Sequence, residues 1–161
     1  MSVSQSANDR EVVITRVIDA PPKILFLAYS RPDYVKQWFG PKGWPLTTCE
    51  MDFRVGGRFR FGMTGPDGAA GPPFGGEYLE IVPDEKIVYD NGFEGSDDKM
   101  IVTITYENAE QGKTLMTIHT LFPTDEMYAR HVGWGYAQGI ESGMENLEAV
   151  VRQLAIAEGV R

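Results

Sequence analysis

Basic charge, cysteine and histidine are all scarce in this chain, and each scarcity excludes a class of function. The 15 Lys and Arg stand against 23 Asp and Glu, a net charge of −8. A nucleic-acid surface needs clustered Lys and Arg, so no nucleic-acid partner is expected. Cys49 is the only cysteine. It excludes an internal disulfide and suits a reducing, cytoplasmic setting. The two histidines, His119 and His131, lack the spacing that zinc sites use, and neither a metal nor a cofactor is expected. No apolar run approaches the ~20 residues that span a bilayer, so no membrane insertion is expected. The opening MSVSQSANDR has neither the basic start nor the apolar centre of a secretory signal. Internal repeats and low-complexity tracts are absent. What remains is 161 residues with an ordinary 42% hydrophobic share, enough for one cored domain. It is taken as residues 11–158, behind a flexible polar N-terminus of residues 1–10.

Catalytic signatures are missing too. There is no Ser-centred nucleophile elbow, no phosphate-binding Gly loop and no two-histidine metal motif. The VGG at Val55 lies between two strand patterns and so lacks the strand-to-helix setting of a dinucleotide fingerprint. Cys49 falls in an apolar set with nothing near it in sequence to lower its pKa, which reads as an inert core thiol. No convincing catalytic constellation is read on this basis, which leans against an enzyme and leaves the question open.

The strongest pattern present is VGWGYAQGIESGMENLEAVVRQL, Val132 to Leu154. Ala137, Ile140, Met144, Leu147, Val151 and Leu154 recur at steps of three and four, the apolar stripe of an amphipathic helix. Gly135, Gly139 and Gly143 are four apart and share one side of it. Each Gly costs about 1 kcal/mol of helix propensity against Ala. A row of missing side chains permits close backbone packing or open space beside the helix, and spacing alone does not choose.

Before that helix the order reads β-α-α and then six strands. Glu11 to Asp19 is β-branched and reads as a strand. Pro21-Pro22 opens a helix through Ser30, and Pro32 to Phe39 is a second short one. Cys49, Met51 and Phe53 alternate with polar residues, as do Phe59, Phe61 and Met63, so Thr47–Arg54 and Arg58–Thr64 are strands buried on one face. A three-residue hairpin at Val55–Gly57 sets Asp52 opposite Arg60 as an exposed ion pair. Gly65 to Gly76 reads as a mobile connection and candidate lid. Glu77–Val82, Lys86–Asp90, Met100–Glu107 and Lys113–Phe122 complete the strands. In the last, Met116, Ile118 and Phe122 are placed inward and His119 outward. Consecutive strands with short links make an antiparallel sheet, an α+β fold.

The inward set is rich in Met and aromatic residues, which suits an apolar ligand and an ordinary core alike. Four segments then carry a resemblance: QWFGPKGW at Gln37, EMDFRVGGRFRF at Glu50, GGEYLEIVPDEKIVYDNGF at Gly75 and the GW at Gly133. Together they resemble the AHSA-like branch (activators of heat-shock chaperone ATPase) of the START-like, helix-grip superfamily, over about Glu11 to Leu154. The resemblance implies a seven-stranded antiparallel sheet curled around the long C-terminal helix, two short helices after the first strand, and a cavity between sheet and helix. It implies a small hydrophobic or aromatic molecule as partner. The expected lining is Trp38, Met51, Phe53, Phe59, Phe61, Met63, Phe74, Tyr78, Tyr89, Tyr106, Met116, His131, Trp134, Gln138 and Met144. Two alternatives stay open. One is a cyclase-like enzyme using Tyr78, Tyr106, His131 or Glu141 as acid or base. The other is a chaperone-binding module, against which stands the absence of the extra N-terminal domain of the eukaryotic activators. Self-association as a homodimer also stays open.

Overall fold

The computed structural model describes residues 2–5, 10–40 and 43–159. Among them eight strands form one antiparallel sheet: β1 (Ser2–Gln5), β2 (Glu11–Ile18), β3 (Leu46–Met51), β4 (Arg58–Met63), β5 (Phe74–Val82), β6 (Lys86–Phe93), β7 (Met100–Asn108) and β8 (Thr114–Leu121). Their spatial order is β1-β2-β8-β7-β6-β5-β4-β3. Helices α1 (Pro22–Ser30) and α2 (Pro32–Trp38) connect β2 to β3 at the far edge, and α3 (Asp125–Gly133) and α4 (Tyr136–Ala157) follow the sheet. This is the expected helix-grip α+β arrangement. Strands β2 to β8 are the seven that the sequence pattern predicts. The eighth corrects the expectation of a wholly frayed N-terminus, because Ser2–Gln5 pairs antiparallel with β2.

Proline punctuates the helical pair as local sterics require. Pro21 is the extended N-cap of α1 with φ −72 and ψ 158, and Pro22 opens the helix. Arg31 ends α1 and caps α2 at φ −129 and ψ 136, the extended conformation imposed on a residue before Pro32. The helices pack on α4, and α4 also meets β2. The apolar stripe of α4 delivers what its period promises: Met144, Leu147, Val151 and Leu154 are buried. Arg16 of β2 clamps the same helix through two 3.0 Å hydrogen bonds to the Glu148 carboxylate. On β8 the inward parity is Met116, Ile118 and Thr120, while Leu121 is exposed and His119 stands on the outer face paired with Glu11.

Three local expectations are corrected. The helix does not run unbroken from Val132. Gly135 adopts φ +87, ends α3 and caps α4, and its N–H bonds to the Val132 carbonyl at 3.0 Å. A left-handed Gly stops one helix and starts the next. The β3–β4 hairpin is longer than three residues. Met51 pairs with Phe59 and Glu50 with Arg60, so Arg60 meets Glu50 and Glu94, while Asp52 bonds Arg54 at 2.9 Å. The Asp52 carbonyl lies so near Gly57 that a Cβ there would sit 2.0 Å from it, so this longer turn needs glycine for the close backbone approach. Finally, Phe74, Gly75 and Gly76 belong to β5, not to a loop. A Cβ on Gly75 would meet the Phe59 carbonyl oxygen at 2.1 Å, and one on Gly76 the Asp90 carbonyl oxygen at 1.9 Å. These glycines permit close strand approach. Of the expected lid, residues 65–70 form a turn closed by a bridge between Thr64 and Ala70.

Candidate functional site

The inner face of the sheet and the underside of the helices do not meet everywhere. Between them lies a cavity of about 570 Å³, a volume suited to a small organic molecule. Its floor follows from strand parity. Tyr89, Asn91 and Phe93 of β6 face it, as do Met100, Val102 and Ile104 of β7, with Phe74 and Ile118 from the neighbouring strands. Its roof is the end of α2, at Trp38, Phe39 and Gly40, together with Gly139, Ile140, Gly143 and Met144 of α4. Trp38 is held there by its indole N–H, which donates to the Ala28 carbonyl at 3.1 Å.

The glycine row resolves into three separate jobs. Gly143 packs closely: a Cβ there would come within 3.3 Å of the Trp38 carbonyl oxygen. Gly139, one turn earlier, borders open space, with nothing within 4 Å of an added Cβ. Gly135 supplies the left-handed cap. Both readings of the spacing therefore hold, at different residues. The rim is formed by Trp44, Pro72 and Trp134, and the Trp134 side chain is 63% exposed. The Trp44 ring lies flat on Gly65, where a Cβ would stand 2.8 Å from the indole.

Among the described residues the lining includes no Asp, Glu, Lys or Arg. His131 reaches it from α3, stacked on Phe93 with ring centroids 5.9 Å apart and packed edge-on against Trp134. Burial, and then the charge of Arg130, lower its pKa from the ordinary 6.5, which favours the neutral imidazole. The Tyr136 hydroxyl hydrogen-bonds the Thr120 hydroxyl at 2.7 Å. Burial pushes its pKa up to about 12 despite the opposing effect of that bond. Tyr29 and Tyr89 are held above their usual range by burial alone or burial foremost. Among the described lining groups His131 is the one whose ordinary pKa lies near neutrality. Among the described residues no cluster of three or more His, Cys, Asp or Glu side chains could hold a metal ion.

Seven of the residues expected from sequence line this cavity: Trp38, Met63, Phe74, Tyr89, His131, Trp134 and Met144. Met51, Phe53, Phe59, Phe61 and Tyr78 do not. They pack around a separate crevice of about 30 Å³ under α1 and α2, which shares Tyr29, Trp38, Phe39 and Tyr89 with the larger cavity. Phe59 and Phe61 contact Tyr78, Tyr89, Phe39 and Phe74 there. Tyr106 is buried under Phe26 and Tyr29, and Met116 accepts the Tyr29 hydroxyl at 3.9 Å. Both are core. Gln138 is exposed on the far side of α4, two residues and so about 200° from Ile140. The four groups considered for acid–base work are scattered: Glu141 is outside the lining, Tyr78 and Tyr106 belong to the core, and only His131 reaches the cavity. Burial raises the Cys49 thiol to about 11, which leaves it unreactive. The sequence reading did not select Asn91, Met100, Val102, Ile104, Ile118 or Ile140. Strand parity beside the already chosen Tyr89 points to Asn91 and Phe93, and parity on β7 to Met100, Val102 and Ile104.

Comparison with known proteins was made with this geometry in hand. A sequence profile of the family described as "Activator of Hsp90 ATPase homolog 1-like protein" matches residues 19–152. No curated protein matches significantly. Solved structures do. A protein from Arthrobacter aurescens is similar at TM-score 0.85 and 26% identity, covering 94% of this chain and 91% of that one. A protein from Chromobacterium violaceum gives TM-score 0.74 and 29% identity over 88% of this chain and 97% of that one. One from Nitrosomonas europaea gives TM-score 0.84 at 22% identity over 94% and 99%, a likeness of fold. No helix among the described residues is long and apolar enough to cross a membrane.

Proposed function

The chain belongs to the activator of Hsp90 ATPase homolog 1-like family, and we propose that within it this member binds a small, uncharged, largely apolar molecule in the cavity between sheet and helices. The observation that carries the reading is the combination of about 570 Å³ of space with a lining whose described residues bear no formal charge. Water held against so much aromatic and aliphatic surface is readily displaced by an apolar molecule. The exposed Trp44 and Trp134 mark the entrance. Catalysis in the same cavity has less support, because the lining offers one titratable group near neutrality and no partner carboxylate for it.

The test is titration with Nile red, an uncharged environment-sensitive dye. One saturable site, with Trp fluorescence changing in parallel, supports the reading. Absence of saturable binding by Nile red and by naphthalene, with the protein folded, contradicts it.

A further inference from the structure

The inward row of β6 reads Ile87, Tyr89, Asn91, Phe93. Three of the four are apolar or aromatic, and the fourth is an amide. Asn91 sits opposite Met100 of β7, lines the cavity, and has its Oδ1 shut off from solvent without a hydrogen-bond partner. Its neighbour Asp90 differs. The Asp90 Oδ1 accepts the Glu77 backbone N–H at 2.9 Å, so it holds the β5–β6 pair together. Asn91 has no such structural duty, and a Leu or Met would fill its place in an apolar row. An unmet buried acceptor is costly, and a native fold that keeps one demands a reason.

Resting on the reading of the cavity as a binding site, we infer that Asn91 selects the ligand: its Oδ1 accepts a hydrogen bond from the bound molecule, which is a neutral, phenol-like aromatic rather than a plain hydrocarbon. A hydrocarbon filling the cavity leaves that oxygen as it is, closed off and without a partner. A molecule with a hydroxyl placed over β6 satisfies that oxygen, and the loose terminal torsion of Asn lets the amide turn to meet it without moving the strand. The walls fit the rest of such a molecule, since Phe39, Phe74, Tyr89 and Phe93 offer ring faces and edges. Among the described residues they hold no cation to balance a ligand carboxylate or phosphate.

The experiment measures Kd for 2-naphthol and 2-methylnaphthalene, which differ by hydroxyl against methyl, on the wild type, Asn91→Leu and Asn91→Ala. The ratio of the two Kd values within each protein, compared between proteins, cancels the difference in hydration of the free probes. The expected result is a preference for 2-naphthol that falls about tenfold or more in both variants, the effect of one buried hydrogen bond. Should Asn91→Leu fail to fold, Asn91→Ala carries the comparison. Should neither fold, the wild-type ratio is set against the ratio of the two probes' water-to-alkane partition coefficients: a preference for 2-naphthol no greater than partitioning gives overturns the inference, and a greater one supports it. Equal ratios in wild type and variants overturn the role of Asn91 while leaving cavity binding intact. Failure of both probes to bind the wild type overturns cavity binding, and the inference with it.

Discussion

The indole N–H of Trp38 donates to the carbonyl oxygen of Ala28 at 3.1 Å, in a bond buried between α1 and α2. Through it the end of α2 is fixed over the sheet, and with it the roof of the cavity at Trp38, Phe39 and Gly40. Trp38→Phe keeps an aromatic ring but orphans the Ala28 carbonyl. It is expected to cost about 1–3 kcal/mol for that acceptor, plus the lost ring area. Urea denaturation of wild type and variant reads the difference, and a change below about 0.5 kcal/mol would refute the role of the bond.

The crevice under α1 and α2 is packed core, not a ligand site. Phe59 and Phe61 are each 6% exposed. Phe59→Ala or Phe61→Ala is expected to lose about 3–5 kcal/mol. A loss under about 1 kcal/mol for both contradicts the packing described.

Arg16 and Glu148 join β2 to α4 in a half-buried, two-bond pair, whereas Arg54 and Asp52 pair on an exposed turn. A double-mutant cycle on the first is expected to give a coupling of about 1–2 kcal/mol. The same cycle on the second should give under about 1 kcal/mol. Equal couplings would refute the distinction.

His131 supplies the pH test. Its pKa in the folded chain lies below 6.5, so the unfolded chain binds a proton first as pH falls. The stabilisation from the neutral, stacked imidazole is complete above about pH 6.5 and fades below it, down to the lower folded pKa. Partial exposure keeps the effect small. Melting temperatures from pH 8 to 5 should therefore fall more for the wild type than for His131→Phe. A parallel fall in both proteins sinks the assignment.

Much of the fold could be read in advance because period-two alternation is a local signal. Met116, Ile118 and Phe122 give the parity of β8 even though Leu115 and Leu121 argue against it, since the first three meet the core. Glycine was the less legible residue. Gly75 and Gly76 resemble a loop in sequence but lie where strands approach too closely for a Cβ. Gly135 resembles its neighbours Gly139 and Gly143, yet only its left-handed φ breaks the helix. The site was half legible for a related reason. Alternation says that Phe59, Phe61 and Tyr78 point inward, but which helix covers them is decided by α2, whose path depends on the Trp38–Ala28 bond. The exclusion of Gln138 was available from helical angle alone.

The most direct measurement joins stability and binding at one residue. Gly139 faces open space inside the cavity and carries no positive φ. In Gly139→Trp the indole is expected to enter the cavity, where the gain in helix propensity, about 0.5 kcal/mol, and new apolar burial offset the ordering of the ring. The melting temperature should stay within about 2 °C of wild type or rise, while Nile red affinity falls about tenfold or more. A drop of more than about 4 °C would mean that Gly139 is needed for close packing, and unchanged dye affinity in a stable variant would place binding outside this cavity. Either result contradicts the cavity as the functional site.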